Sequence, residues 1–117
     1  NLFDNVRLAG YQKNPFTYFS KADLFVLSSR FEGLPNAVLE SLACGTPVVA
    51  FNCPGGIDEI IVDELQGALV PENDVHALSK AIEKQMRSHR HAKGSLLPDK
   101  FDAKAVVPAY EKLALSE

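Results

Sequence analysis

A parallel α/β sheet with flanking helices is the fold class this sequence predicts, and three observations carry that expectation. The apolar runs LFVLSS (24–29), PVVAFN (47–52) and GALV (67–70) are short, β-prone and free of strict polar alternation, which is how strands covered on both faces read. Segments with helical spacing separate them. The joints are a few residues long and carry Pro, Gly and Asn, so strand follows helix with little slack.

Each element has its own signal. NVRLAG (5–10) is a short apolar alternation closed by Gly and is the first expected strand. In NPFTYFSKAD, Pro15 stands at a helix start, with Phe16, Phe19 and Ala22 spaced by three. LFVLSS follows and, lacking alternation, is expected to be central in the sheet. Pro35 and Gly45 bracket PNAVLESLAC with the Pro-at-the-start, Gly-past-the-end asymmetry of helices. Val38, Leu39, Leu42 and Ala43 supply its core face. PVVAFN is a buried strand, PGGIDEIIVDE a Gly-rich turn into a short helix, and GALV a further strand. DVHALSKAIEKQMRSH is an amphipathic helix with Asp74 as its N-cap. Residues 88–100, with Gly94 and Pro98, read as a connection to a last helix around 103–115.

Strands alternating with helices over short loops build βαβ units with right-handed crossovers. The expected architecture is therefore a Rossmann-like parallel sheet of about four strands. At 117 residues the chain reads as a single domain burying roughly two thirds of its unfolded surface.

Composition narrows the function classes. Hydrophobic residues make up 46% and charged residues 23%, which excludes disordered, collagenous and membrane-embedded classes. A formal charge of −3 argues against a non-specific footprint on nucleic acid or anionic membrane. Cys44 and Cys53 form no C-x-x-C pair, and Cys44 reads as a buried free thiol, which fits a reducing, cytoplasmic compartment. No secretory leader and no membrane-spanning run is legible. His76, His89 and His91 are scattered over a helix and a polar connection, a poor pattern for a metal site.

In parallel α/β sheets ligands bind beyond the carboxyl ends of the strands, where helix-start amides favour anions. The turn after LFVLSS holds Glu32 and Gly33, and Leu34, Asn36 and Ala37 offer N–H groups there, whereas Pro35 offers none. A phosphate at this helix start would meet the amides of Asn36, Ala37 and Val38, with Arg30 as a cationic partner. Carboxylates beside a phosphate repel it unless they accept hydrogen bonds from hydroxyls of the same ligand. A nucleoside diphosphate sugar has both groups. On that reading Glu32 faces the sugar, and Glu40, on the helix face of Asn36 and Cys44, reaches the ribose. By spacing alone, a loop acid and a solvated helix residue are the favoured explanation of the two acids.

The whole run SRFEGLPNAVLESLACGTPVVA resembles the donor-binding motif of GT-B retaining glycosyltransferases, in particular family 4, where Glu, seven residues, Glu is followed by A-x-G-x-P-V-V. The flanks NVRLAGYQ, YFSKADLFVLSS and GGIDEIIVDELQGALVPENDVHALSKAI resemble it as well, from about residue 5 to residue 86. The resemblance implies that Glu32, the expected catalytic residue, contacts hydroxyls of the transferred sugar, that Gly33 and Leu34 shape the sugar pocket, and that Asn36, Ala37 and Val38 offer amides to the diphosphate. Glu40 would hold the ribose. Gly10, Tyr11 and Gln12 would lie near the base through backbone groups, although Tyr11 reads equally as a surface aromatic. Gly55, Gly56 and Glu59 match a GG-x-x-E feature of the family, for which an acid at a helix start is a sufficient bland explanation. The donor implied is a nucleotide sugar, with UDP-sugar favoured and no metal.

A full member of the resembled family has an N-terminal acceptor domain and, ahead of the strand matching NVRLAG, two further strands whose Gly-Arg loop and Lys neutralise the diphosphate. These 117 residues contain neither. The expected molecule is thus a truncated donor-binding domain, an incomplete half of a GT-B fold that does not transfer sugar alone, because a half-cleft lacks the acceptor and closure. An open sheet edge is expected to pair, in a homodimer or with a missing N-terminal half. The competing reading is a stand-alone nucleotide-binding or protein-interaction module that has lost transfer activity.

Overall fold

A computed structural model describes residues 2–30, 35–88 and 94–98. A 3-10 turn (Leu2–Asp4) precedes α1 (Phe16–Lys21), β1 (Phe25–Leu27), α2 (Asn36–Ala43), β2 (Val48–Phe51), α3 (Ile57–Ile60), β3 (Gly67–Val70) and α4 (Val75–Arg87). The three strands form one parallel sheet in the order β1-β2-β3. The expected α/β class with flanking helices is what the chain adopts.

The core lies on both faces of β2. Its four residues alternate: Val48 and Ala50 join Val38 and Leu42 of α2 and Ile57 and Ile60 of α3 on one face. Val49 and Phe51 join Val70 and Leu78 on the other, with Ala77, Ala81 and Ile82 of α4 packed alongside. Two apolar layers thus sandwich a strand that keeps hydrogen-bonded neighbours on both sides. The absence of polar alternation in PVVAFN reports that double burial.

Two expectations change. LFVLSS is not central: β1 is an outer strand of the described sheet, and Val26 is 38% exposed. Its apolar run matches the buried pattern only in part, because Phe25 and Leu27 face the core while Val26 faces outward. NVRLAG is not a strand among the described residues. Residues 6–10 pair with no strand, and Val6 and Leu8 are 61% and 95% exposed. Three apolar side chains that reach no core bury too little to offset the entropy of ordering an edge strand. The sheet therefore has three described strands where about four were expected.

The helix signals place elements closely. Asp74 caps α4, its carboxylate accepting from the amide of Ala77 at 2.9 Å. Gly45, at φ 80°, closes α2 in a Schellman motif. Its amide donates to Leu42 at 2.9 Å, and that of Thr46 donates to Ser41 at 3.0 Å. Gly67 is imposed by a close approach at φ 138°, where a Cβ would lie 1.7 Å from the carbonyl oxygen of Val48. The expected last helix, 103–115, lies outside the described residues. Within the expected connection, residues 94–98 run without helix or strand, and Leu96 and Leu97 pack on the α2–α3 layer.

Candidate functional site

Because the strands are parallel, their carboxyl ends, Leu27, Phe51 and Val70, share one edge of the sheet. The described residues that follow them, 28–30, 52–56 and 71–74, lie at that edge, as do the starts of α2, α3 and α4. Three helices thus aim the positive ends of their dipoles at one edge. Of the three only α4 has a side-chain cap; Pro35 at the N-cap of α2 and Gly56 at that of α3 supply none.

The first turn of α2 sets which amides remain available. Val38 donates to the carbonyl of Pro35 at 3.0 Å, and Leu39 donates to the same oxygen at 3.2 Å. The amides of Asn36 and Ala37 have no acceptor among the described residues. Of the three amides expected to face an anion, two therefore remain as donors and that of Val38 is engaged within the turn. Glu40 follows one turn later, half-buried.

Glu40 and Cys44 share a helix face, four residues apart. Burial first, and the nearby Glu40 carboxylate second, push the Cys44 thiol above its ordinary 9.0. Both causes disfavour the thiolate, so Cys44 is a poor nucleophile in this setting. Arg30 is exposed in the bend after β1. Glu32, Gly33 and Leu34, the expected sugar-facing residues, lie outside the described residues.

The segment expected near the base is an exposed loop. Gly10 has φ 67°, Tyr11 is 91% exposed, and the Gln12 side-chain amide donates to the carbonyl of Ala9 at 2.7 Å. Glu59 sits in the first turn of α3, behind the Gly55–Gly56 turn. Among the described residues no cluster of three or more His, Cys, Asp or Glu is placed to hold a metal ion. His76 is exposed on α4, and His89 and His91 lie outside the described residues.

A groove of about 490 Å³ lies at the opposite, amino edge of the sheet, lined in part by Pro47, Leu65, Gly67, Lys84 and Arg87. It faces the carbonyl end of α4, whose dipole disfavours anions. Sequence reasoning gave no sign of this groove, because Pro47, Leu65 and Arg87 meet only through the fold. The helix dipoles favour an anion at the carboxyl edge, whereas at this groove Lys84 and Arg87 offset the dipole of α4.

Comparison with known proteins bears on the whole fold. A family model described as "Glycosyl transferases group 1" matches residues 1–88. An uncharacterized glycosyltransferase of Methanocaldococcus jannaschii is 48% identical over 65 residues, 56% of this chain and 16% of that protein. The Campylobacter jejuni N-acetylgalactosamine-N,N'-diacetylbacillosaminyl-diphospho-undecaprenol 4-alpha-N-acetylgalactosaminyltransferase is 29% identical over 116 residues, 99% of this chain and 31% of its own length. A lipopolysaccharide core biosynthesis glycosyltransferase of Rhizobium meliloti is 33% identical over 118 residues, covering 96% of this chain and 34% of that protein. The chain thus spans about a third or less of each of these relatives.

Proposed function

This chain belongs to the group 1 glycosyl transferases, and from that premise we propose that it forms the nucleotide-sugar donor-binding portion of a retaining glycosyltransferase that transfers a hexose-type sugar. The observation that carries the reading is the start of α2: two amides, Asn36 and Ala37, with no acceptor among the described residues and no side-chain cap, with Glu40 one turn behind on the same helix.

In this reading the diphosphate of the donor takes the place of the missing cap. It accepts from Asn36 and Ala37 and is favoured by the dipole. Arg30, exposed beside the turn, supplies a charge-assisted contact. Glu40 accepts from the ribose hydroxyls, which offsets its repulsion from the phosphates. Glu32 is assigned to the hydroxyls of the transferred sugar as the catalytic residue, with Gly33 and Leu34 shaping its pocket. Gly10, Tyr11 and Gln12 are assigned to the base. UDP-sugar is the favoured donor and no metal takes part. The location proposed is cytoplasmic; no described helix is long and apolar enough to cross a membrane.

Binding alone does not transfer a sugar. Positioning an acceptor against the donor needs a second wall to the cleft, so this reading makes the chain inactive by itself. The outer strand β1, on which Val26 is exposed, offers a place for that wall. A second copy or an N-terminal half would cover it. Light scattering at high concentration tests the first, since a strictly monomeric chain excludes the homodimer.

The test of the donor reading is an amide NMR titration with UDP, GDP and ADP and their glucose conjugates, repeated on Glu40→Ala. Saturable shifts at Asn36, Ala37 and Glu40, weakened by the substitution, support it and identify the base. Absence of shifts at millimolar ligand sinks it for this chain and favours the interaction module.

A further inference from the structure

Gln66 is a long polar side chain buried to 4% exposure, which demands partners. Its Oε1 accepts from the amides of Val62 at 2.7 Å and Asp63 at 3.2 Å. Its Nε2 donates to the carbonyl of Leu96 at 2.9 Å, thirty residues away in the chain. Leu96 is in turn a donor: its amide reaches the carbonyl of Leu42, in the last turn of α2, at 2.8 Å. Gln66, Leu96 and Leu42 therefore form one continuous link from the start of β3, through the segment 94–98, to the carbonyl end of α2.

The link adds a directional restraint to apolar packing. α2 is held against the sheet by Val38, Leu42 and Leu39, contacts that are non-directional and that a hydrogen bond to its last turn supplements along the helix axis. Hydrogen bonds to a carbonyl are directional. An eight-residue helix is about 12 Å long and axially stiff, so a displacement of its last turn is delivered undiminished to its first.

We propose that Gln66, acting through Leu96, is a positioning residue that sets the axial position of α2 and thereby the amides of Asn36 and Ala37. The functional consequence rests on the donor-binding reading given above; the positional one does not. Segment 94–98 is, in this account, a strap whose attachment is read out at the opposite edge of the sheet.

The experiment is the amide NMR spectrum of the whole chain, wild type and Gln66→Met, without ligand and with UDP. In the ligand-free variant the amides of Asn36, Ala37 and Glu40 are expected to move together while those along α4 stay. UDP affinity is expected to fall about 5- to 30-fold. A residue with a merely structural role would lower the thermal midpoint and leave the first turn of α2 unmoved, and that result overturns the proposal. If Gln66→Met does not fold, Leu96→Pro, which deletes the amide reaching Leu42 and also replaces the packed Leu96 side chain, decides by the same spectrum: an unmoved first turn of α2 overturns the proposal. Failure of the wild type to bind UDP would remove the donor reading, while the ligand-free shifts would still decide whether Gln66 positions α2.

Discussion

The two edges of the sheet are built on opposite principles. At the amino edge the chain closes on itself. Gly45 completes a Schellman motif, the Ser41 hydroxyl donates to the carbonyl of Thr46 at 3.0 Å, the Thr46 hydroxyl donates to the carbonyl of Phe19, and Gln66 holds Leu96. Ser41, Thr46 and Gln66 are all buried. At the carboxyl edge, α2 begins without a side-chain cap, behind exposed Ser28 and Arg30. Polar groups at one edge are satisfied within the chain, whereas at the other the amides of Asn36 and Ala37 have no acceptor among the described residues. Satisfied buried networks stabilise; unsatisfied exposed ones bind.

That contrast predicts that substitutions at the amino edge cost stability and those at the carboxyl edge cost binding. The largest effect is expected for Gly67→Ala, whose Cβ has no room beside Val48. It should cost more than about 4 kcal/mol, read as loss of the cooperative urea transition by circular dichroism. Thr46→Val, which removes the donor to Phe19, should cost about 1–3 kcal/mol in the same titration while leaving UDP affinity intact. Lost affinity there would break the contrast.

Asp74→Ala sharpens it from the other side. Asp74 lies at the carboxyl edge yet caps α4, so its loss should cost about 1 kcal/mol and no binding. Glu40→Ala should change stability by less than about 0.5 kcal/mol. It should nevertheless weaken UDP about 10- to 100-fold, the range of a hydrogen bond to a charged group; calorimetry separates the two. The smallest effect concerns Cys44. Its raised pKa means that the folded state holds the thiol proton above pH 9.0 where the unfolded chain releases it. That contribution to stability is present below pH 9.0 and is lost as pH rises through the raised value. Glu40→Gln removes the second of the two causes and should speed iodoacetamide labelling of Cys44 at pH 8 about twofold, measured by mass spectrometry.

Local chemistry was the legible part. Pro35, Gly45 and Asp74 announce helix ends because caps involve residues within six positions of each other. The doubly buried strand β2 is legible in its four apolar residues. Misreading LFVLSS as central has a physical cause: composition reports burial of side chains, not the number of hydrogen-bonded neighbours, and two of three β1 side chains are half-buried. NVRLAG has strand composition and no core to face. The start of α2 was legible in Pro35, but the engagement of the Val38 amide by the Pro35 carbonyl was not, because it depends on the tight geometry of the first turn. The link from Gln66 to Leu96 spans thirty residues and leaves no periodic trace in sequence.

One further property follows from which layer each helix joins. α2 and α3 lie on the same face, and the sheet advances from β1 to β2 to β3 in one direction, as two crossovers of the same hand require. α4 joins the opposite face. A right-handed path that changes face must also reverse its lateral progress, so the direction in which strands would be added reverses at α4. Any strand reached from that helix with the usual chirality would be laid not beyond β3 but beside β1, on the far side of the chain already wound.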